Sequence, residues 1–540
     1  MKNQEFSLKV KSLIDDIKAT CASYGLGNDG NEYKIITQMF LYKFLNDKFG
    51  HDYRSLSGID YHENWESDLA KMSEQDFAKL LVQMPPGGAV LRRNQLISHL
   101  HNRQNEPDFA SFVDTTLLEI SEANSEVFSV LTANRSKIRL FDEVSVFVQD
   151  QGQRDQFCRA LINSLVSVSF EGFFEAKFDF FSDIFEYLIQ DYNKDGGGKY
   201  AEYYTPHAVS KIISEIIVDK PSANVTCYDP SAGSGTLLMN LAHVIGEDRC
   251  SIYSQDISQK SSGLLRLNLV LNNLAHSIPN VVQGNTLSNP FHKADGVLRK
   301  FDFIVSNPPF KLDFSEYRDE LAGEANSERF FAGIPNIPKK EKDKMAIYLV
   351  FIQHIVSSLS QIGRGAIVVP TGFLTGTDKI SLAIKQRIVG SGWLQGVVAM
   401  PSNIFATTGT SVAVVFIDKS RKQTESILVD ASNLGKTIKD GKNQRTELSE
   451  AESDLIVETV KKTKEVSNFS RLVSMDEISQ NRFSLAPTQY FHMDDTLIQI
   501  APEILNQRIE ELTSDIKRDL SLIRDLSPMV IRSLEQIRKF

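Results

Sequence analysis

The chain is short of cysteine, of long apolar runs and of surplus positive charge, and each shortage removes a class of protein. Four cysteines, Cys21, Cys158, Cys227 and Cys250, are scattered over 540 residues without a Cys-x-x-Cys pair. That spacing argues against a disulfide framework or a zinc site, so no metal is expected, and it fits reduced thiols and a cytoplasmic location. No run of about 18 apolar residues occurs, so no membrane-spanning helix is predicted. The first ten residues lack the apolar centre of a signal peptide. Lys+Arg number 59 against 69 Asp+Glu, a net charge of −10. Sequence-independent affinity for phosphates comes from many lysines and arginines. The balance therefore argues against a general nucleic-acid coat protein, while leaving room for a local basic groove.

What remains is ordinary globular composition, 41% apolar and 24% charged, long enough for about three domains at roughly 150 residues each. Up to residue 167 the pattern is helical. Ile36, Phe40 and Phe44 recur every four residues beside Leu41, Leu45 and Phe49, giving one broad apolar helix face. Gly/Pro-rich punctuation at 25–30 and 85–88 marks loops. A Phe-rich stretch over 170–185 ends at the flexible joint Asp195-Gly196-Gly197-Gly198.

Beyond the joint, short apolar runs at 224–228, 251–254, 301–306, 365–370, 394–400 and 410–417 alternate with amphipathic helices, followed by a run at 426–430. Such alternation predicts a parallel-rich sheet covered on both faces. A basic stretch follows with Lys436, Lys439, Lys442 and Arg445, then a polar segment. In the last region Leu505, Ile509, Leu512, Ile516, Leu520 and Ile523 trace a seam close to that of a coiled coil, for a partner helix or for packing within the chain.

Two stretches carry chemistry. Asp229-Pro230-Ser231-Ala232-Gly233-Ser234-Gly235 follows an apolar run and precedes a helix-like segment over 236–245. Glycines at a strand-to-helix turn let the backbone approach a ligand closely. The next strand ends in Asp256, where doubly wound nucleotide-binding folds grip ribose hydroxyls. The third glycine of a dinucleotide fingerprint is missing, and Asp229 stands where a pyrophosphate would be repelled. A ligand with a ribose and a cationic centre but no phosphate suits these charges, and S-adenosylmethionine has both.

The other stretch is Asn307-Pro308-Pro309-Phe310, directly after the strand-like 301–306. Consecutive prolines hold a rigid turn whose carbonyls can only accept. The Asn307 oxygen and the Pro308 carbonyl together can accept both N–H bonds of a planar exocyclic amino group, drawing its nitrogen towards tetrahedral geometry for attack on a methyl group. Phe310 offers an apolar face for a stacked base. Taken alone the tetrapeptide fits a surface turn equally well; in one sheet with Asp229 and Asp256 it becomes specific.

On these residues the sequence resembles the modification (methylation) subunits of type I restriction-modification systems, amino-methyltransferases that make N6-methyladenine in DNA. The resemblance covers about 170–490. It implies an α/β fold: a doubly wound S-adenosylmethionine-dependent methyltransferase sheet over 168–485, with an all-helical domain at 1–167 and a helical tail for subunit assembly at 486–540. It implies catalytic roles for Asn307, Pro308, Pro309 and Phe310. Cofactor binding is implied for Asp229, Ser231, Ala232, Gly233, Ser234, Gly235 and Asp256, and for Glu202, Tyr203, Tyr204, Thr205 and Pro206, which resemble the segment closing over the methionine end. At Gly284-Asn285-Thr286 the family usually has Asp where this chain has Asn285. Asn can still accept from the cofactor's adenine through its oxygen, so altered binding is expected.

The 120 or so residues after 417 show no module that would present Arg, Asn or Gln to a DNA groove. The resemblance accordingly implies partners: double-stranded DNA, a specificity subunit that reads the sequence, a second modification subunit and, where one exists, a restriction subunit with nuclease and translocase activity, with no membrane. A self-sufficient adenine methyltransferase and a protein-glutamine methyltransferase are the alternatives. His354, in an apolar stretch, reads as a satisfied helix histidine rather than a base. Lys339, Lys340, Lys342 and Lys344 read as a solvated helix start or as phosphate contacts.

Overall fold

Apolar strands rich in β-branched residues assemble into an eleven-stranded sheet in a computed structural model of the chain. The structure describes residues 2–27, 30–57, 65–85, 88–170, 174, 205–405, 411–420, 422–440, 443–491 and 502–537. Its strands are β1 (Val130–Thr132), β2 (Lys137–Ile138), β3 (Val225–Asp229), β4 (Cys250–Asp256), β5 (Val281–Gln283), β6 (Lys293–Ala294), β7 (Val297–Leu298) and β8 (Phe301–Ser306). The series continues with β9 (Leu359–Pro370), β10 (Leu394–Ala399), β11 (Val412–Asp418), β12 (Glu425–Asp430), β13 (Lys436–Asp440), β14 (Asn443–Glu447) and β15 (Ser470–Ser474). The sheet order is β15-β12-β10-β11-β9-β8-β3-β4-β5-β1-β2, while β6 pairs with β7 and β13 with β14.

From β1 to β9 the neighbours β1-β5-β4-β3-β8-β9 are all parallel. β11 is inserted antiparallel between β9 and β10. Every residue of β11 is buried, as a strand covered on both faces requires. The chain runs outward from β3 through β4 to β5 and then returns to β8 on the other side of β3. That reversal opens a crevice at the carboxyl ends of β3 and β8, the place where doubly wound sheets bind ligands.

The strands expected at 301–306, 394–400, 410–417 and 426–430 fall within a residue or two of those observed. Others were not visible in the pattern. β5 has three residues, too few for a period, and β1 and β2 arise inside the stretch expected to be all helical. The basic stretch forms the hairpin β13–β14, with Lys436 opposite Glu447 and Lys439 opposite Gln444.

Residues Met1–Gln489 form one compact unit, so the expected boundary at 167 lies inside it. One buried apolar cluster joins Leu13, Phe40 and Phe157 of the amino-terminal helices to Val281, Val414 and Val429 of the sheet. Arg266, on the helix Gln259–Leu271, donates to the carbonyls of Arg139 (2.7 Å) and Leu140 (3.2 Å), fastening the amino-terminal region to the sheet's edge. Tyr490–Phe540 is a separate unit containing the helix Pro502–Ile537. Along it Ile509, Leu512, Ile516, Leu520 and Ile523 are 49–64% exposed and lie on one face. Among the described residues no helix is long and apolar enough to cross a membrane.

Candidate active site

The turn after β3 is built by two carboxylates that hold backbone N–H groups. Asp229 accepts from Ser231 N at 2.9 Å. Asp256, at the end of β4, accepts from Gly233 N at 2.9 Å and from Ser258 N at 2.8 Å. Gly233 (φ 53°) and Gly235 (φ 82°) occupy the left-handed region, which a side chain disfavours. A Cβ on Gly235 would also collide with Leu265 Cδ1. Gly235 is the N-cap of the helix Thr236–Ile245. Asn268 donates to Ser234 O at 3.2 Å and Thr286 Oγ1 to Pro230 O at 2.7 Å, so the turn is fixed from both sides.

β8 ends beside this turn. The Ser231 and Ser306 hydroxyls are 2.7 Å apart, which brings Asn307 into the crevice. Asn307 Nδ2 donates to Thr205 Oγ1 at 3.3 Å, leaving the side-chain oxygen as the group available to a ligand. Thr205 is buried and acts on Asn307, a role its place in the cofactor segment did not suggest. Phe310 meets Tyr348 edge to face (6.3 Å, 79°), and Tyr348 meets Phe373 likewise (6.1 Å, 90°). Phe310 and Tyr348 line the crevice, with Phe373 packed behind Tyr348.

The crevice encloses about 540 Å³, a volume suited to a nucleoside-sized ligand. Of the residues expected from sequence, Thr205, Asp229, Ser231, Ala232, Ser234, Asp256, Asn285, Asn307, Pro308, Pro309 and Phe310 line it. Gly233 and Gly235 serve through backbone conformation, and Pro206 precedes the helix His207–Ile217. Glu202, Tyr203 and Tyr204 lie outside the described residues. Tyr317, Tyr348, Ile257 and Phe405 also line the crevice and were missed. Ile257 had a signal: it directly follows the acid of β4, and it is 60% exposed where an apolar side chain would normally be covered.

Asp229 and Asp256 are 1% and 9% exposed. Burial pushes the Asp229 carboxyl up to about 7; the Ser231 and Ser306 hydrogen bonds oppose the rise and the neighbouring Asp256 adds to it. Burial raises Asp256 as well, against the N–H groups of Ser258 and Gly233. Two sequestered acids make the floor of the crevice complementary to a cation.

Asn285 Oδ1 accepts from Leu287 N (2.9 Å) and Ser288 N (3.2 Å). Its oxygen is therefore engaged in its own turn, and its side chain also hydrogen-bonds the Tyr317 hydroxyl at the crevice wall. His354 is buried, with Nε2 3.2 Å from the Tyr228 hydroxyl and Nδ1 accepting from Arg329 at 3.1 Å. It is a satisfied core histidine. Lys339, Lys340, Lys342 and Lys344 are exposed, and Lys344 reaches the crevice rim while pairing with Glu341 at 2.5 Å.

This geometry has close relatives. The methylase subunit of the type I restriction enzyme MpnII from Mycoplasma pneumoniae is 25% identical over 539 residues, 96% of this chain and 95% of that one. The crystal structure of a type I restriction-modification methyltransferase subunit from Streptococcus thermophilus superposes with a TM-score of 0.71 at 20% identity, over 91% of this chain and all of that one. A chain from a study of complex assembly and conformational transition in the type I system matches at 0.50 and 17% identity, over 96% and 98%. The profile of the family described as N-6 DNA Methylase matches residues 176–497, which include the acid pair, the glycine turn and Asn-Pro-Pro-Phe: the chain belongs to that family.

Proposed function

We propose that the chain is the methylation subunit of a type I restriction-modification system, transferring a methyl group to the N6 amino group of adenine in DNA. The observation that carries this reading is that Asn307 and Phe310 line the same crevice as Asp229 and Asp256. The residues fit S-adenosylmethionine. Paired buried acids suit its cationic groups, positive-φ glycines suit close backbone approach, and each Asp256 oxygen keeps a lone pair for a ribose hydroxyl. When bound, S-adenosylmethionine supplies an electrophilic methyl group.

The chain's own residues then orient and polarise. An adenine flipped out of the duplex stacks on Phe310 beside Tyr348. The Asn307 oxygen and the Pro308 carbonyl hold the two amino protons, while Thr205 keeps the Asn307 amide from rotating. Stabilisation is thus directed at the charge that develops on nitrogen, and the excess proton leaves after transfer. The partners in this reading are DNA, a specificity subunit, a second copy of this chain and, where present, a restriction subunit, with the exposed apolar face of Pro502–Ile537 as an assembly surface. Residues 1–167, 168–485 and 486–540 are its amino-terminal, catalytic and assembly segments. Purifying the chain with the product of a neighbouring specificity gene, adding labelled S-adenosylmethionine and mapping the modified base tests it. Label on protein, or on DNA without the second subunit, would defeat it.

Two further outcomes follow from the acid floor and Asn285. Asp229 sits at about 7, above its ordinary carboxyl value, so protonation favours the empty folded protein as pH falls through 7. A cationic ligand needs the ionised form. Affinity for S-adenosylmethionine should decline below pH 7, approaching tenfold per pH unit, and binding at pH 6 should release a proton. Calorimetry in buffers of different ionisation heat measures both. Asn285→Asp replaces the amide nitrogen, beside the crevice-lining Tyr317, with an acceptor. It should tighten cofactor binding by roughly two- to tenfold, about one hydrogen bond's net worth, and unchanged affinity would remove Asn285 from the cofactor's contacts.

A further inference from the structure

A second cavity, of about 650 Å³, opens at the opposite edge of the sheet. Lys300 immediately precedes β8, Trp393 precedes β10, and Lys419 follows the antiparallel β11, so the strands bring all three to the amino-terminal edge. β8 is six residues long, which separates this edge from the catalytic crevice by roughly 20 Å. Arg387 contributes from the helix Lys379–Gly390 and Lys293 from the β6–β7 hairpin.

The charge here is one-sided. Lys293, Lys300, Arg387 and Lys419 line the cavity with a single carboxylate, Glu328, and none of the four has a carboxylate partner among the described residues. Two of the cations are fixed by adjacent backbone carbonyls. Lys419 donates to Val356 O at 2.7 Å, and Lys300 donates to Ser357 O. Lys419 and Arg387 also stand over the Trp393 ring, 4.6 Å and 5.7 Å from its centroid. Burial, then repulsion from Lys300 and Arg387, pulls the Lys419 ammonium down to about 8. Like charges this close without counter-charge cost stability, and a bound anion of high charge density relieves that cost.

We infer that this cavity is a binding site for a polyphosphate, either free or as the tail of a nucleotide. A pocket of this size takes a compact ligand, whereas a duplex backbone needs a groove that runs on past a single pocket. Several converging cations match successive phosphate groups better than one carboxylate. The inference does not depend on the activity of the other crevice.

The chain has two tryptophans, Trp65 and Trp393, so a Trp65→Phe chain reports on Trp393 alone. Its fluorescence is titrated with tripolyphosphate and with CTP, which lacks the adenosine that the catalytic crevice would take. A saturable change with both is expected. Equal affinities indicate that the phosphates are read, and tighter CTP binding indicates a nucleotide as the source. In Lys300→Ala/Arg387→Ala, two exposed side chains, binding should weaken by at least roughly tenfold while the melting temperature holds or rises. Calorimetry on the native chain replaces the fluorescence if Trp65→Phe fails to fold. Three outcomes overturn the inference: no saturable binding of tripolyphosphate, equal binding by the double variant, or binding of an Asp/Glu-rich peptide at equal or higher affinity.

Discussion

Asn307→Ala is expected to lower methyl transfer to DNA by roughly 10²–10³-fold, the usual cost of removing one directed group from a developing charge. S-adenosylmethionine binding should change by no more than about twofold. The asymmetry follows from placement. Asn307 is fixed by Thr205 and stands at the end of β8, while the glycine turn and both acids belong to β3 and β4. Single-turnover rates with saturating cofactor, beside calorimetric affinity, separate the two quantities. Near-normal transfer would remove Asn307 from the chemistry, and a parallel loss of cofactor binding would show that it only shapes the crevice.

Asp256→Ala is expected to act the other way round, raising the dissociation constant for S-adenosylmethionine by at least roughly 10²-fold. The side chain does two jobs. It accepts from Gly233 N and Ser258 N, and losing it strands the buried Gly233 N–H, at about 1–3 kcal/mol, and a part-buried one on Ser258. In the proposed reading its loss also removes the acceptor for the ribose. Gly233 belongs to the turn proposed to approach the cofactor, so that turn loosens as the ribose contact disappears. Equilibrium binding and thermal unfolding read out these two effects. An unchanged affinity would falsify the cofactor assignment for this edge of the crevice.

The parts of the site that could be read in advance are those whose chemistry is local. A glycine turn, an acid at a strand end and two prolines after an apolar run are each complete within a few residues. Asp229, Gly233, Gly235, Asp256 and Asn307 therefore carry visible signals. Thr205 is different: as a threonine beside a proline it is unremarkable in sequence, and its hydroxyl gains meaning only when it meets the Asn307 amide. Tyr348 reads as the start of a buried helix, and only its ring contact with Phe310 makes it a wall of the crevice. Asn285 was legible as a departure, but not that its oxygen closes a turn with Leu287 and Ser288.

For the fold, apolar runs long enough to show a period predicted the central strands, and three-residue β1 and β5 escaped because so short a run fits a helix equally well. By itself the sequence determined the local devices: backbone freedom at Gly233 and Gly235, and a rigid acceptor turn at Pro308-Pro309. Only the tertiary structure decided that β3 lies between β4 and β8, and so that two distant motifs share one crevice. It also decided that a chain of net charge −10 gathers Lys300, Arg387 and Lys419 around Trp393. Strand pairing and charge clustering depend on contacts between residues far apart in the chain, and local periodicity carries no record of them.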